Sequence, residues 1–276
     1  MADVLDYSSG WPAPSAIKAA KYVGVVRYIG TPGRGKNLTR AEAHAMLAAG
    51  VPVGLVYESS AGWMQGGVNA GVAAARAALT DAQNCGVGVR NVYFAADFDV
   101  TSTAQMVAVE RCLDGAAQVL GRGRVGVYGE ADVIDACLGQ RHATWGWQTR
   151  AWSGGRVSGR AHLLQQIGYV YPGGVQCDRS TVLKRDWGQW PDPARPPNGE
   201  DDMPNTPQEL KDAAYAALQQ WATERHDPAT AGNRVDTLRE LLDQFPEVTQ
   251  SIADMRAEVA ALRNDITALR TALSAT

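Results

Sequence analysis

The chain has 276 residues, 45% of them hydrophobic, and a formal net charge of −3. That length suits one large domain with a smaller element, and the charge excludes the broad basic field that nucleic acid or an anionic membrane would need, so neither is expected as a partner. The cysteines Cys85, Cys112, Cys137 and Cys177 are far apart with no CxxC, which argues for buried free thiols rather than zinc ligands or a disulfide framework.

From Val4 to Val182 short β-rich runs alternate with helical stretches, the pattern of strands joined by crossover helices. Eight strands are predicted: VLDYS near Val4, YVGVVRYIG from Tyr22, VPVGLVYE from Val51, NVYFAADFD from Asn91, RVGVYGE from Arg124, TWGWQT from Thr144, HLLQQIG from His162 and VQCDRS from Val175. Helices fit between most of them. Residues 39–49 open with a Thr cap and stop at Gly50, and residues 69–84 and 103–120 also end near glycine. RAWSGGRVSGR, from Arg150, is too short and too rich in glycine for a crossover helix and reads as a loop. A (β/α)8 TIM-like barrel over residues 1–190, short of one helix, is the predicted fold; an open doubly wound sheet is the alternative.

Residues 191–206 concentrate prolines, acids and Asn-Gly and read as a stiff linker. Residues 207–276 are predicted helical. From Leu238 apolar residues fall at alternating steps of three and four; Ile252, Val259 and Ile266 take the a positions and Met255, Leu262 and Leu269 the d positions. Glu258 and Asp265 at g face Arg263 and Arg270 at e, so a parallel homo-oligomeric coiled coil is expected, a dimer or a trimer. One amphipathic helix folded back on the barrel is the alternative.

In a barrel of this type side chains at the C-terminal strand ends converge on one mouth. Strand one ends near Asp6, strand two carries Arg27 and Tyr28, strand three ends on Glu58, and strand four on Asp97 and Asp99. Strand five supplies Tyr128 and Glu130, strand six Trp147 and Gln148, strand seven Gln165 and strand eight Asp178. Alternation along VYFAADFD puts Tyr93, Ala95, Asp97 and Asp99 on the inner face together. Two close carboxylates resist ionising at once, and such a pair is the central requirement of glycoside hydrolysis. Trp63, Trp145, Trp147, Trp152 and Tyr128 are expected on or near the rim, where sugar rings stack. Each residue also fits a plainer role: Asp6 or Asp178 as a cap or arginine partner, Arg27 as a counter-charge to Glu58, Trp147 and Gln165 as barrel filling, Glu130 as the start of a helix. Among His44, His142, His162 and His226 none has a second ligand at metal spacing, and no P-loop, GxSxG or GxGxxG follows a strand, so no metal or cofactor is expected.

DYS on strand one, RYIG followed by KNLT, AGVPVGLVYE, YFAADFD, GVYG, WQT and QCD together resemble the glycoside-hydrolase-like barrel domain of actinobacterial surface proteins and phage lysins, a relative of the family-25 lysozymes. The resemblance covers about residues 3–188 and implies carbohydrate hydrolysis. It implies that Asp6, Asp97, Asp99 and Asp178 are the acids of the mouth and that Glu58 is the acid typical of the narrower family. Where the lysozymes carry DxE, this chain has Asp97-Phe98-Asp99. Arg27, Tyr28, Trp63, Tyr128, Trp147 and Gln165 are then the expected substrate contacts, and a cell-wall polysaccharide (peptidoglycan or an arabinogalactan-type polymer) the expected partner. MADVLDYSSGW shows neither a basic n-region nor an apolar h-region. A protein without a signal peptide is therefore expected, in the host cytoplasm before lysis or on a virion with other virion proteins, acting at the bacterial cell wall. A non-catalytic glycan-binding virion or surface protein is the alternative.

Overall fold

The computed structural model describes residues 2–33 and 35–193. The predicted helices and coiled coil of residues 207–276, the dimer or trimer they imply, and most of the linker lie outside the described residues.

Eight strands close into a barrel in sequence order: β1 (Asp3–Asp6), β2 (Val25–Tyr28), β3 (Val53–Tyr57), β4 (Val92–Ala95), β5 (Val125–Gly129), β6 (Trp145–Thr149), β7 (Leu163–Val170) and β8 (Cys177–Val182). Neighbours from β1 to β7 pair in parallel, while β8 runs antiparallel to both β7 and β1. The closed eight-stranded TIM-like barrel is as expected, and the reversed β8 and the missing helices correct its strict (β/α)8 form. Among the described residues α-helices follow only the first five strands: α1 (Pro14–Ala19), α2 (Arg40–Ala48), α3 (Gly67–Cys85), α4 (Thr103–Leu120) and α5 (Ala131–Gly139). The reason is chain length, because a parallel return needs a crossover of about a dozen residues or more. Residues 171–176 between β7 and β8 suffice only for a turn, built on Pro172–Gly174.

Local chemistry starts and stops these helices. The Thr39 hydroxyl accepts from the Glu42 amide at the head of α2, and Ser102 with Gln105 forms a reciprocal capping box on α4. Gly86 ends α3 in the left-handed conformation, φ 71°. The long loop between β6 and β7 is irregular, as expected, and is held by Gln148: its amide nitrogen donates to the Arg156 carbonyl at 2.8 Å, and its oxygen accepts from the Ser158 amide at 2.7 Å.

Strand alternation divides the core in two. Leu5, Val25, Leu55, Phe94 and Val127 face outward under the helices. Val4, Val26, Val56, Tyr93, Trp147 and Leu163 fill the barrel itself. The floor is plugged by Trp187, which is 2% exposed. Its ring occupies the space where Gly24 and Gly54 have no side chain, and the Tyr93 hydroxyl donates to its carbonyl at 2.6 Å. Among the described residues Trp187 thus fills the barrel end opposite the carboxyl-bearing strand ends.

Candidate active site

β1 ends on Asp6, which is 3% exposed and aligned in register with Asp178 of β8. Because β8 is antiparallel, Asp178 reaches the mouth near the start of its strand, not at its end. Asp97 lies just past the end of β4 and is partly buried. The three carboxyls feel one another. Burial, then Asp178, push the Asp6 pKa up to about 8, with Asp97 adding to the rise and the Gln165 hydrogen bond and Arg27 opposing it. Burial and Asp97 raise Asp178; burial and Glu58 raise Asp97, against the pull of Lys36.

Polar groups from four further strands close around them. The Tyr128 hydroxyl donates to Gln165 Oε1 at 2.7 Å, and Gln165 Nε2 donates to the two Asp6 oxygens at 3.3 and 3.2 Å. Tyr28 is raised by burial and by Asp6, Glu58 and Asp97, so its hydroxyl stands among the acids. Lys36, from the glycine-rich loop after β2, caps the Tyr28 ring at 3.8 Å and pairs with Glu58 at 2.9 Å. Its charge partly offsets the negative potential of the mouth.

Asp99 takes a different place. β4 ends at Ala95, so alternation no longer directs the side chains beyond it, and Asp99 is exposed beside Glu130. Glu130 follows β5, is 3% exposed, and accepts from the Val100 amide at 3.2 Å. Burial, then the charge and hydrogen bond of Asp99 with a contribution from Asp132, raise it to about 7 against that amide bond. Glu130 therefore keeps its proton up to about neutral pH.

Several predicted contacts are located elsewhere than the mouth. Arg27 faces outward from β2 and is 1% exposed; it pairs with Glu42 at 2.7 Å and donates to the Tyr7 and Lys36 carbonyls, which ties the β1 and β2 loops to α2. Trp63 packs beneath the helices on Tyr57 and Phe94 at 4.9 and 6.1 Å, its indole N–H donating to the Ala95 carbonyl at 2.9 Å. Tyr57 and Phe94 are outward residues, so Trp63 follows them. Trp147 is 3% exposed inside the barrel, donating to Ser180 Oγ at 2.9 Å beneath Tyr128. Trp145 begins β6 and so sits at the floor end, donating to the Gly123 carbonyl at 2.8 Å. Trp152, by contrast, is exposed in the loop that leaves the mouth end of β6. Sequence reasoning missed Lys36, whose signal was the basic glycine-rich loop after a strand carrying Tyr28. It also underrated Glu130, an acid directly after a strand just as Glu58 is.

A closed, floor-plugged barrel whose open end gathers coupled carboxyls, tyrosines and a glutamine defines a glycoside hydrolase-like barrel protein. The chain belongs to the Rv2525c-like, glycoside hydrolase-like domain family, whose sequence pattern matches residues 15–182. It is 30% identical over 201 residues to a Mycobacterium tuberculosis protein that bears the name "Putative peptidoglycan hydrolase Rv2525c", spanning 68% of this chain and 83% of the relative. The crystal structure of the Tat-secreted Rv2525c with HEPES superposes with a TM-score of 0.63 at 30% identity, covering 68% of this chain and 98% of the other. A protein of B. stearothermophilus, 14% identical with a TM-score of 0.51 over 67% of this chain and 97% of its own, shares the fold. The secretion of Rv2525c overturns the expectation of a protein without a signal peptide, confined to a host cytoplasm or a virion.

Proposed function

We propose that the barrel is a glycosidase of the exported cell-wall type, hydrolysing the glycan of peptidoglycan or a related polymer at the mouth formed by Asp6, Asp97 and Asp178. The observation that carries this reading is the mutual coupling of those three carboxyls, with Asp6 holding its proton to about pH 8. Hydrolysis of a glycosidic bond needs one carboxyl that donates a proton and one that is ionised. Asp6 is too buried to meet a polymer; by keeping its own proton it spares Asp97 and Asp178 a third negative charge. Lys36 favours ionisation of Asp97, which then orients water or attacks the sugar. Asp99, exposed at the rim beside Glu130, is the group assigned to protonate the leaving oxygen. Glu58 holds Lys36 in position, while Tyr28, Tyr128 and Gln165 are the polar contacts available to sugar hydroxyls. The peptidoglycan assignment is supported by the name of the M. tuberculosis relative and by family membership.

The heptad seam of residues 238–273 extends the reading: parallel association would present two or three barrels to one repetitive polymer and raise avidity without new contacts. Sedimentation of the full chain beside a chain ending at Trp190 tests it, with loss of the oligomer in the shorter chain expected.

Reducing-sugar release from purified actinobacterial cell wall tests the catalytic reading. Wild type releases sugar, and Asp97→Asn and Asp99→Asn lose it. Binding of the wall by wild type without release would replace hydrolysis by glycan binding.

A further inference from the structure

The antiparallel hairpin of β7 and β8 carries a feature that the carboxyl cluster does not use. Gln165 pairs with Ser180, and the next mouth-side pair is Tyr169 with Asp178. A regular ladder would advance two residues on each strand; here β7 advances four while β8 advances two, so the extra residues form a bulge. Gly168 sits in it at φ 96°, a conformation that a side chain would strain, and Ile167 is thrown outward at 81% exposure. The effect is to bring Tyr169 directly opposite Asp178. Residues directly opposed across an antiparallel pair share one face, with Cβ atoms about 4.5–5.5 Å apart.

The register therefore sets a row across three strands, Asp6 to Asp178 to Tyr169, in which exposure rises from a buried acid to a ring that is 58% exposed. Among the described residues Tyr169 makes no side-chain hydrogen bond or ring stack, and aromatic rings beside a few polar groups are a common lining of ligand sites.

We propose that Tyr169 is the stacking platform of a sugar-binding subsite, taking the apolar face of the pyranose ring next to the one held at Asp178. The proposal rests on the glycan reading of the mouth and adds where the strand enters and what holds it. The bulge and Gly168 are the device that turns the ring toward the acids. A tyrosine ring serves this role because it offers flat apolar area while its hydroxyl stays in water.

The test separates binding from turnover. Co-sedimentation with purified actinobacterial cell wall is measured for the full chain, for Tyr169→Ala, Tyr169→Leu and Tyr169→Phe, each also in an Asp97→Asn background that prevents turnover; circular dichroism and the melting temperature confirm folding. Stacked aromatic contacts support an expected loss of about tenfold in wall affinity for Tyr169→Ala and Tyr169→Leu, with Tyr169→Phe close to wild type. Where release is measured, KM rises by a similar factor and kcat stays within about twofold, since a stacking residue away from the reacting atoms affects ground and transition states alike. Wild-type affinity in a folded Tyr169→Ala variant overturns the subsite even when Asp97→Asn abolishes release. A wild type that binds through Tyr169 but releases no sugar keeps the subsite and removes the catalytic reading. A wild type that does neither overturns both.

Discussion

Asp6 and Asp178 face each other across β1 and the antiparallel β8, two acids from opposite ends of the barrel sequence held at one register position. Bringing a second carboxyl to a buried one raises the cost of ionising it, and the consequences are measurable.

The first concerns stability against pH. Asp6 has a pKa near 8 in the folded protein against an ordinary value of 3.8, so the folded state keeps a proton that the unfolded chain releases. Stability from this group is full below about pH 4 and is lost as pH rises through about 8. Asn at this position cannot ionise. Asp6→Asn is therefore expected to match wild type in urea unfolding near pH 4 and to exceed it near pH 9, by an amount on the order of several kcal/mol at about 1.4 kcal/mol per pKa unit. Equal midpoints at both ends of that range would show that Asp6 is not held protonated.

The second concerns Glu130. Burial and the neighbouring Asp99 raise it to about 7, so the Glu130 proton is lost as pH rises through that value. Glu130→Gln removes this titrating group from the acid cluster while keeping its shape. The limb of the sugar-release profile near pH 7 should therefore disappear, with the fold retained. A limb that stays in place would assign that titration to another group.

The third concerns the buried pair of Arg27 and Glu42, whose side chains are 1% and 7% exposed. Arg27→Met leaves Glu42 without its counter-charge in a place where water cannot replace it, and should cost about 3–5 kcal/mol in chemical denaturation. The double variant Arg27→Met with Glu42→Leu should recover most of that loss. Recovery of nothing would mean that the Arg27 bonds to the Tyr7 and Lys36 carbonyls, not the ion pair, hold the loops.

The fourth concerns the crossing of α3 and α4. A Cβ on Gly71 would fall 1.8 Å from the Cys112 carbonyl oxygen, and one on Gly115 would fall 2.1 Å from that of Val68, so the two helices meet backbone to backbone. Gly71→Ala should lower stability by about 1–3 kcal/mol through forced separation of the helices. Gly123→Ala, where nothing lies within 4 Å, should leave the melting temperature within about a degree and serves as the control.

Much of the scaffold was readable locally. Eight strand positions, the Thr39 cap and the glycine stops of α2 and α3 follow from spacing and from which residues tolerate a helix end, and these signals lie within a few residues of one another. VYFAADFD was read correctly as far as Ala95, with Tyr93 inside and Phe94 outside. It was misread at Asp99 because alternation holds only while the chain is paired.

Periodicity along the chain determined that acids would gather at one rim and that the barrel would have eight staves, since both depend on the order of residues and the direction of each strand's start and finish. Tertiary structure alone decided the reversed course of β8, the capture of Arg27 by Glu42, the partnership of Asp99 with Glu130 and the entry of Trp187 as the floor. Each of these is a choice among partners distant in sequence, settled by which burial and which charge pairing costs least, and a linear pattern contains no distances between such groups.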